Sequence, residues 1–155
     1  MSDPEILAEI VACLRETKLF RGLGEEALRA LAGLVEPVTY PEHSIVLNEG
    51  EPSDSLFLLV RGAAEVVKGL GMERETVLAV VKENNAFGEM ALVSDEPRSA
   101  SIRMAQETDA CWLPVAAIEQ WSVVHLLDSN RMLENLGLIL AERLRSTDLA
   151  FAARG

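Results

Sequence analysis

The sequence predicts an α+β fold in the order helices, one antiparallel β body, helices. Three observations carry that prediction. Apolar residues recur at three- and four-residue steps at both ends of the chain. Between residues 38 and 114 the texture changes to short β-branched runs separated by turn residues. No long helical pattern interrupts those runs, which excludes the crossovers a parallel sheet needs.

From Asp3 the residues Ile6, Leu7, Ile10, Val11 and Leu14 share one helix face, with Glu9, Arg15 and Glu16 between them. A break is expected at 19–24. A second helix opens at Glu25 and Glu26, which suit the positive end of its dipole, and buries Leu28, Leu31, Leu34 and Val35. Pro37 is expected to end it. Strands follow at 38–40, 44–47, 56–60, 63–67, 76–81, 99–104 and 111–113. Turns are expected at Gly50 with Pro52, at Gly62, and at Gly69 with Gly71. Short strands at this spacing argue for a sandwich or barrel. After Pro114 the helical period returns over 115–124 and again from about Ser129 to Leu149, where Met132, Leu133, Leu136, Ile139, Leu140 and Leu144 form a broad stripe. Arg143 and Arg145 near its end complement the dipole.

At 155 residues and 49% hydrophobic composition the chain suits one domain, 1–155, burying roughly 70% of its unfolded surface. It divides into N-terminal helices (1–36), a β body (37–114) and C-terminal helices (115–150). With 14 basic against 25 acidic residues the net charge is −11, which repels nucleic acid and anionic lipid, and no basic patch offsets it. The acidic start lacks the basic region of a secretory signal, and no apolar run approaches a membrane span. Cys13 and Cys111, each among apolar neighbours, read as buried free thiols of a reducing compartment, so a cytoplasmic location is expected.

One segment stands apart: Phe87-Gly88-Glu89-Met90-Ala91-Leu92, then Val93-Ser94-Asp95-Glu96, then Pro97-Arg98-Ser99-Ala100. It reads as a strand end, a short helical turn and a return strand. Gly88 allows close backbone approach to a ligand, and the N–H groups opening the turn suit an anion. Arg98 adds a permanently charged fork for phosphate oxygens. Glu89 accepts hydrogen bonds, which suits a sugar hydroxyl. The ligand these residues describe carries an anion and a hydroxyl close together.

This segment resembles the phosphate-binding cassette of the cyclic-nucleotide-binding domain family, whose pattern runs Phe-Gly-Glu-hydrophobic-Ala-Leu, a short spacer, then Pro-Arg-small-Ala. Leu19-Phe20 with Leu23, the strand and turn over 45–50, and residues 55–62 are similar to further landmarks of that family, so the resemblance covers nearly the whole chain. It implies a β jelly-roll with a cassette at 87–100. It also implies a ligand, cAMP or cGMP, held by Phe87, Gly88, Glu89, Met90, Ala91, Leu92, Arg98, Ser99 and Ala100. Glu89 would accept from the ribose 2'-hydroxyl and Arg98 would pair with the cyclic phosphate, with N–H groups around Met90 and Ala91 and the Ser99 side chain completing the cradle. A hydroxyl at the position of Ser99 goes with cGMP in some relatives, yet cAMP receptors also carry serine there, and cAMP is favoured. The last helix would close over the base or pair with its twin in a homodimer, and an effector protein would read its position. Asn130, Arg131 and Asn135 are candidates for touching the base.

The chain departs from the family pattern at two places. Asn84-Asn85-Ala86 stands where many members have a glycine, and asparagine tolerates the left-handed turn. Arg103-Met104-Ala105 replaces a usual small residue and predicts a local shift.

Other functions are disfavoured. His43 and His125 lie too far apart in sequence for the close pair of a cupin-type metal site, so neither a metal nor a cofactor is expected. No nucleophile–base pattern is present, and catalysis is not expected. Residues 150–155 leave no room for a helix-turn-helix, so nucleic acid is not an expected partner, and the acidic charge and the lack of an apolar span leave a membrane unexpected as well. The alternative is a nucleotide-free interaction module on the same fold.

Overall fold

A computed structural model describes the backbone of residues 3–154 and the side chains of residues 3–146. The side chains of Leu149 and Ala150, the last positions of the expected C-terminal helices, therefore lie outside the described residues.

Helix α1 (Pro4–Glu16) starts on a cap: the Asp3 carboxylate accepts from Glu5 N–H at 2.9 Å, and Pro4 occupies a first-turn position where no donor is needed. It buries Ile10, Val11, Cys13 and Leu14. A 3-10 turn (Lys18–Phe20) leads to α2 (Glu25–Ala32), whose Ala27, Leu28, Leu31 and Ala32 are buried. The second helix thus ends at Gly33, four residues before Pro37. Leu34 is left exposed, and Pro37 lies inside strand β1 (Glu36–Tyr40). Proline fits there because β1 is the edge of its sheet, where a missing N–H need not break a ladder.

The strands β2 (Ile45–Leu47), β3 (Ser55–Arg61), β4 (Ala64–Lys68), β5 (Thr76–Val81), β6 (Asn85–Phe87), β7 (Ser101–Met104) and β8 (Thr108–Pro114) complete two four-stranded sheets. Their orders are β1-β8-β3-β6 and β2-β7-β4-β5, with antiparallel pairing throughout, so the expected antiparallel α+β body is found. Of β6 the sequence marked only its end, the strand end read at Phe87; the strand runs over three residues with polar Asn85 at its start. The return strand begins at Ser101 rather than residue 99, because Arg98 and its neighbours bond to a loop instead: Arg98 N–H donates to Glu51 O and Gly50 N–H to Arg98 O, each at 2.8 Å. Opposite Arg103 the β2–β7 register shifts between Ile45 and Leu47, an irregularity at the expected place.

Strand β3 is buried on both faces. Phe57 and Leu59 point into the roll with Ala64, Phe87, Ile102 and Met104. Leu56 and Leu58 point outward, with Cys111 and Leu113 of β8, into a larger core shared with the helices. Helix α3 (Val115–Val124) docks through Trp121, whose indole N–H donates to Ala27 O at 2.9 Å. Helix α4 (Leu126–Arg154) begins three residues earlier than the sequence suggests, after a single non-helical residue, His125. Asp128 accepts from Gly24 N–H at 2.8 Å, and Asn135 donates to Leu19 O and Arg21 O at 3.0 and 2.9 Å. Met132 and Leu136 of the same helix are buried. No helix among the described residues is long and apolar enough to cross a membrane.

Candidate functional site

The cassette starts where β6 stacks on β3, the Phe87 and Phe57 rings lying 5.0 Å apart and nearly parallel. Asn84 takes the left-handed conformation the turn before β6 requires, with φ of 61°. Gly88 follows at φ of 80°, which a side chain rarely adopts, and the chain enters a 3-10 turn (Glu89–Leu92). That turn closes on itself, Ala91 N–H donating to Gly88 O at 3.2 Å.

The turn delivers Glu89 inward, leaving it 4% exposed. The return segment delivers Arg98, 8% exposed. Arg98 Nη2 donates to Ser55 O at 2.7 Å, and Nη1 approaches Gly88 O at 3.4 Å. The close approach permitted at Gly88 is therefore made by the Arg98 guanidinium. Among the described residues no carboxylate lies within ion-pair distance of Arg98, and its buried Nε has no hydrogen-bond partner. Burial pulls the Arg98 pKa below its ordinary value, partly opposed by the more distant Asp54 and Glu51.

These groups border a cavity of about 390 Å³. Phe87, Gly88, Glu89, Met90, Arg98, Ser99 and Ala100 line it. Ala91 and Leu92, also expected at the ligand, do not line it: Ala91 is buried in the turn, and Leu92 packs on the core beneath the helices. The hydroxyl-bearing Ser53 and Ser94 join the cassette on the wall, as do Leu47, Val66, Ala79, Val81 and Ile102. The cavity thus has a polar, cationic end and an apolar wall formed by strand residues. Such strand positions carry no local motif, so the sequence marked them only as core. Behind the cassette, Lys68 Nζ donates to Ser99 O at 2.7 Å and pairs with Glu49 at 3.1 Å. The Gly69 N–H and then Lys68 hold the Glu49 carboxyl below the usual range.

Arg143 of α4 also lines the cavity, and its guanidinium pairs with Glu89 Oε1. The sequence offered it only as a dipole partner. Of the helix residues considered for the base, Asn135 is committed to Leu19 and Arg21, Arg131 lies beside Gly22 and pairs with Glu134, and Asn130 is exposed. None of the three lines the cavity. Among the described residues no group of three or more His, Cys, Asp or Glu side chains is placed to hold a metal.

The chain is 29% identical over 135 residues to the CRP-like cAMP-activated global transcriptional regulator of Mycobacterium tuberculosis, covering 87% of this chain and 58% of that protein. It is 34% identical over 131 residues to Glutaminase 1 of Bradyrhizobium diazoefficiens, covering 84% of this chain and 21% of that enzyme. The chain thus spans little more than half, or about a fifth, of these relatives. Among solved structures, a cyclic nucleotide-binding domain from Methylobacillus flagellatus superposes with a TM-score of 0.81 at 26% identity, covering 97% of this chain and 85% of that one. The family model described as cyclic nucleotide-binding domain matches residues 37–123, more than half of the chain, and the chain belongs to that family.

Proposed function

We propose that the chain is a receptor for a cyclic nucleotide, cAMP in preference to cGMP, that performs no chemistry itself. The observation that carries this reading is Arg98: a buried cation beside a cavity, held by carbonyl oxygens, with its Nε unpaired and no carboxylate within ion-pair reach among the described residues. An isolated buried charge is costly, and a cyclic phosphate would supply the missing anion. Glu89 would accept the ribose 2'-hydroxyl, and the apolar strand wall would take the purine. Glu89 and Arg98 do not pair with each other, which removes the simplest way for the cassette to be self-satisfied. The preference for cAMP is supported by the regulator relative, whose name states cAMP activation.

Binding favours one packing of α3 and α4 against the sheets, and an effector protein reads that packing. A homodimer through α4 is part of this reading. Leu126, Asn130, Leu133, Gly137, Leu140 and Leu144 follow one another at alternating steps of four and three, the spacing of a coiled-coil seam. Leu126, Leu133 and Leu144 are 67%, 44% and 65% exposed in the single chain, so the seam has apolar surface to bury. The buried free thiols support a reducing, cytoplasmic setting. We confine the expectation that nucleic acid is not a partner to this domain, since one relative is a transcriptional regulator. Neither a metal nor a cofactor is part of the proposal.

The test is the thermal midpoint with and without saturating cAMP or cGMP, for wild type and Arg98→Ala. Ligand at about 100 times its dissociation constant stabilises by roughly 2.7 kcal/mol, a rise of about 5 to 10 °C. A rise in wild type that the variant lacks supports the receptor; a folded wild type indifferent to both nucleotides points to a nucleotide-free interaction module.

A further inference from the structure

The return arm of the cassette, residues 98–100, lies outside any strand, since β7 begins at Ser101. Its place is set instead by contacts from behind the cavity. Arg98 is held by Gly50 and Glu51 through the backbone, and Glu49 N–H donates to the Ser101 hydroxyl at 3.0 Å. Lys68, the last residue of β4, donates from Nζ to Ser99 O at 2.7 Å. Glu49 joins these contacts: one carboxylate oxygen accepts from Gly69 N–H and the other pairs with Lys68, each at 3.1 Å. Lys68 Nζ is thereby fixed between Glu49 and the Ser99 carbonyl. A peptide unit is rigid, so holding its oxygen sets the rotation of the whole Ser99–Ala100 unit, and both residues line the cavity. Lys68 and Glu49 do not line it. Their side chains are 53% and 36% exposed, and an ion pair so exposed adds little to stability. What it can add is direction.

We propose that Lys68 and Glu49 are positioning residues for the anion end of the cavity, holding the return arm from behind so that Arg98 and Ser99 present their donors to the cyclic phosphate. Neither residue touches the ligand. The inference rests on the receptor reading above and deepens it by naming side chains outside the cassette that set its geometry. A purely electrostatic role makes the opposite demand on Glu49. If Lys68 acted only by attracting phosphate, the Glu49 carboxylate would oppose it, and removing that negative charge would tighten binding. If the pair acts by position, removing Glu49 frees Lys68 and the arm, and binding weakens although a negative charge has gone.

The test is calorimetric titration of cAMP and of its two phosphorothioate diastereomers, in each of which sulfur replaces one exocyclic oxygen of the cyclic phosphate. The proteins are wild type, Lys68→Met, Lys68→Arg, Glu49→Ala and the Lys68→Met/Glu49→Ala double variant. Positioning predicts cAMP binding about three- to tenfold weaker in Lys68→Met and in Glu49→Ala, with the double variant no weaker than the weaker single. Lys68→Arg keeps a donor and a cation and should stay within about twofold of wild type. The affinity ratio of the two diastereomers should change by about threefold or more in the weakened variants, because the donors no longer meet the two oxygens at the same angles. Unfolding midpoints should stay within about 3 °C of wild type. Tighter cAMP binding by Glu49→Ala makes the effect one of charge and overturns the proposal. Unchanged affinity in both singles overturns it, as does weakened binding with an unchanged diastereomer ratio, which makes the pair a general brace of the fold. A folded wild type that binds none of the three nucleotides overturns the receptor reading and the positioning role with it, whereas a wild type that binds beside indifferent variants overturns the positioning role alone.

Discussion

A Cβ built on Gly88 would stand 2.7 Å from Arg98 Nη1 and 3.3 Å from Ser55 O, so the guanidinium occupies the space a side chain at 88 would need. Residue 88 is also held at φ of 80°. Gly88→Ala therefore meets a strained backbone and a displaced Arg98 together. The expected outcome is a loss of about 1 to 3 kcal/mol of stability and a loss of cAMP affinity exceeding tenfold, read by urea unfolding and titration calorimetry.

Arg98 tests charge against geometry. Arg98→Lys keeps a cation but loses the fork that spans Ser55 O and Gly88 O. Titration should give cAMP binding about tenfold weaker for lysine and about a hundredfold weaker for alanine. Without ligand, removing the arginine relieves a desolvated charge but strands carbonyl acceptors, effects of opposite sign and each on the order of 1 to 3 kcal/mol. The ligand-free midpoint of both variants should therefore stay within a few degrees of wild type.

The two thiols predict an alkaline weakness. Burial pushes Cys13 up to about 11, and pushes Cys111, with Cys13 as its next contributor, up to about 12. Both are raised above the ordinary thiol value of 9.0. Below that value both are protonated in the folded and unfolded chain, and their contribution to stability is fully present. Above it the unfolded chain ionises first, so stability falls by roughly 1.4 kcal/mol per pH unit per thiol until the folded values are reached. Denaturant unfolding from pH 8 to 11 should show this decline, and Cys13→Ala/Cys111→Ala should flatten it. Thiol reagents at pH 8 should label the wild type only at the rate at which it unfolds.

The α4 seam predicts a self-association defect. Leu133→Glu/Leu144→Glu places like charges along exposed seam positions, and the homodimer should become a monomer in sedimentation. The core is untouched, so the midpoint of the monomeric species should move by less than about 1 kcal/mol equivalent. A wild type that sediments as a monomer at high concentration rejects the seam.

How much of this was legible depended on whether the signal was local. The cassette could be located because Gly88, Glu89 and Arg98 lie within eleven residues and match the family pattern as one block. The left-handed Asn84 was legible for the same reason. Arg143 was not: it meets Glu89 across 54 positions, and on a helix of mixed polarity it looks like any terminal cation. Asn135 misled in the opposite direction, since a polar helix residue that braces the turn at Leu19 has the same appearance as one facing a ligand. Pro37 was read as a helix stop, though its environment as an edge-strand residue is set by β8, more than seventy positions away. Strand β6, three residues long, was legible only as a strand end at Phe87, because it exists through its pairing with Phe57, Leu58 and Leu59 and period-2 alternation is too short there to show its extent.

Helix α4, at 29 residues, is about 43 Å from end to end, and among its described side chains the buried anchors Met132 and Leu136 lie in its first half. Such a rod amplifies. Pivoting by about 5° near Leu136 would move its far end by roughly 2 Å while the anchoring side chains barely shift. A spectroscopic reporter is therefore best attached near the tip, where an event inside the cavity becomes a displacement large enough to see.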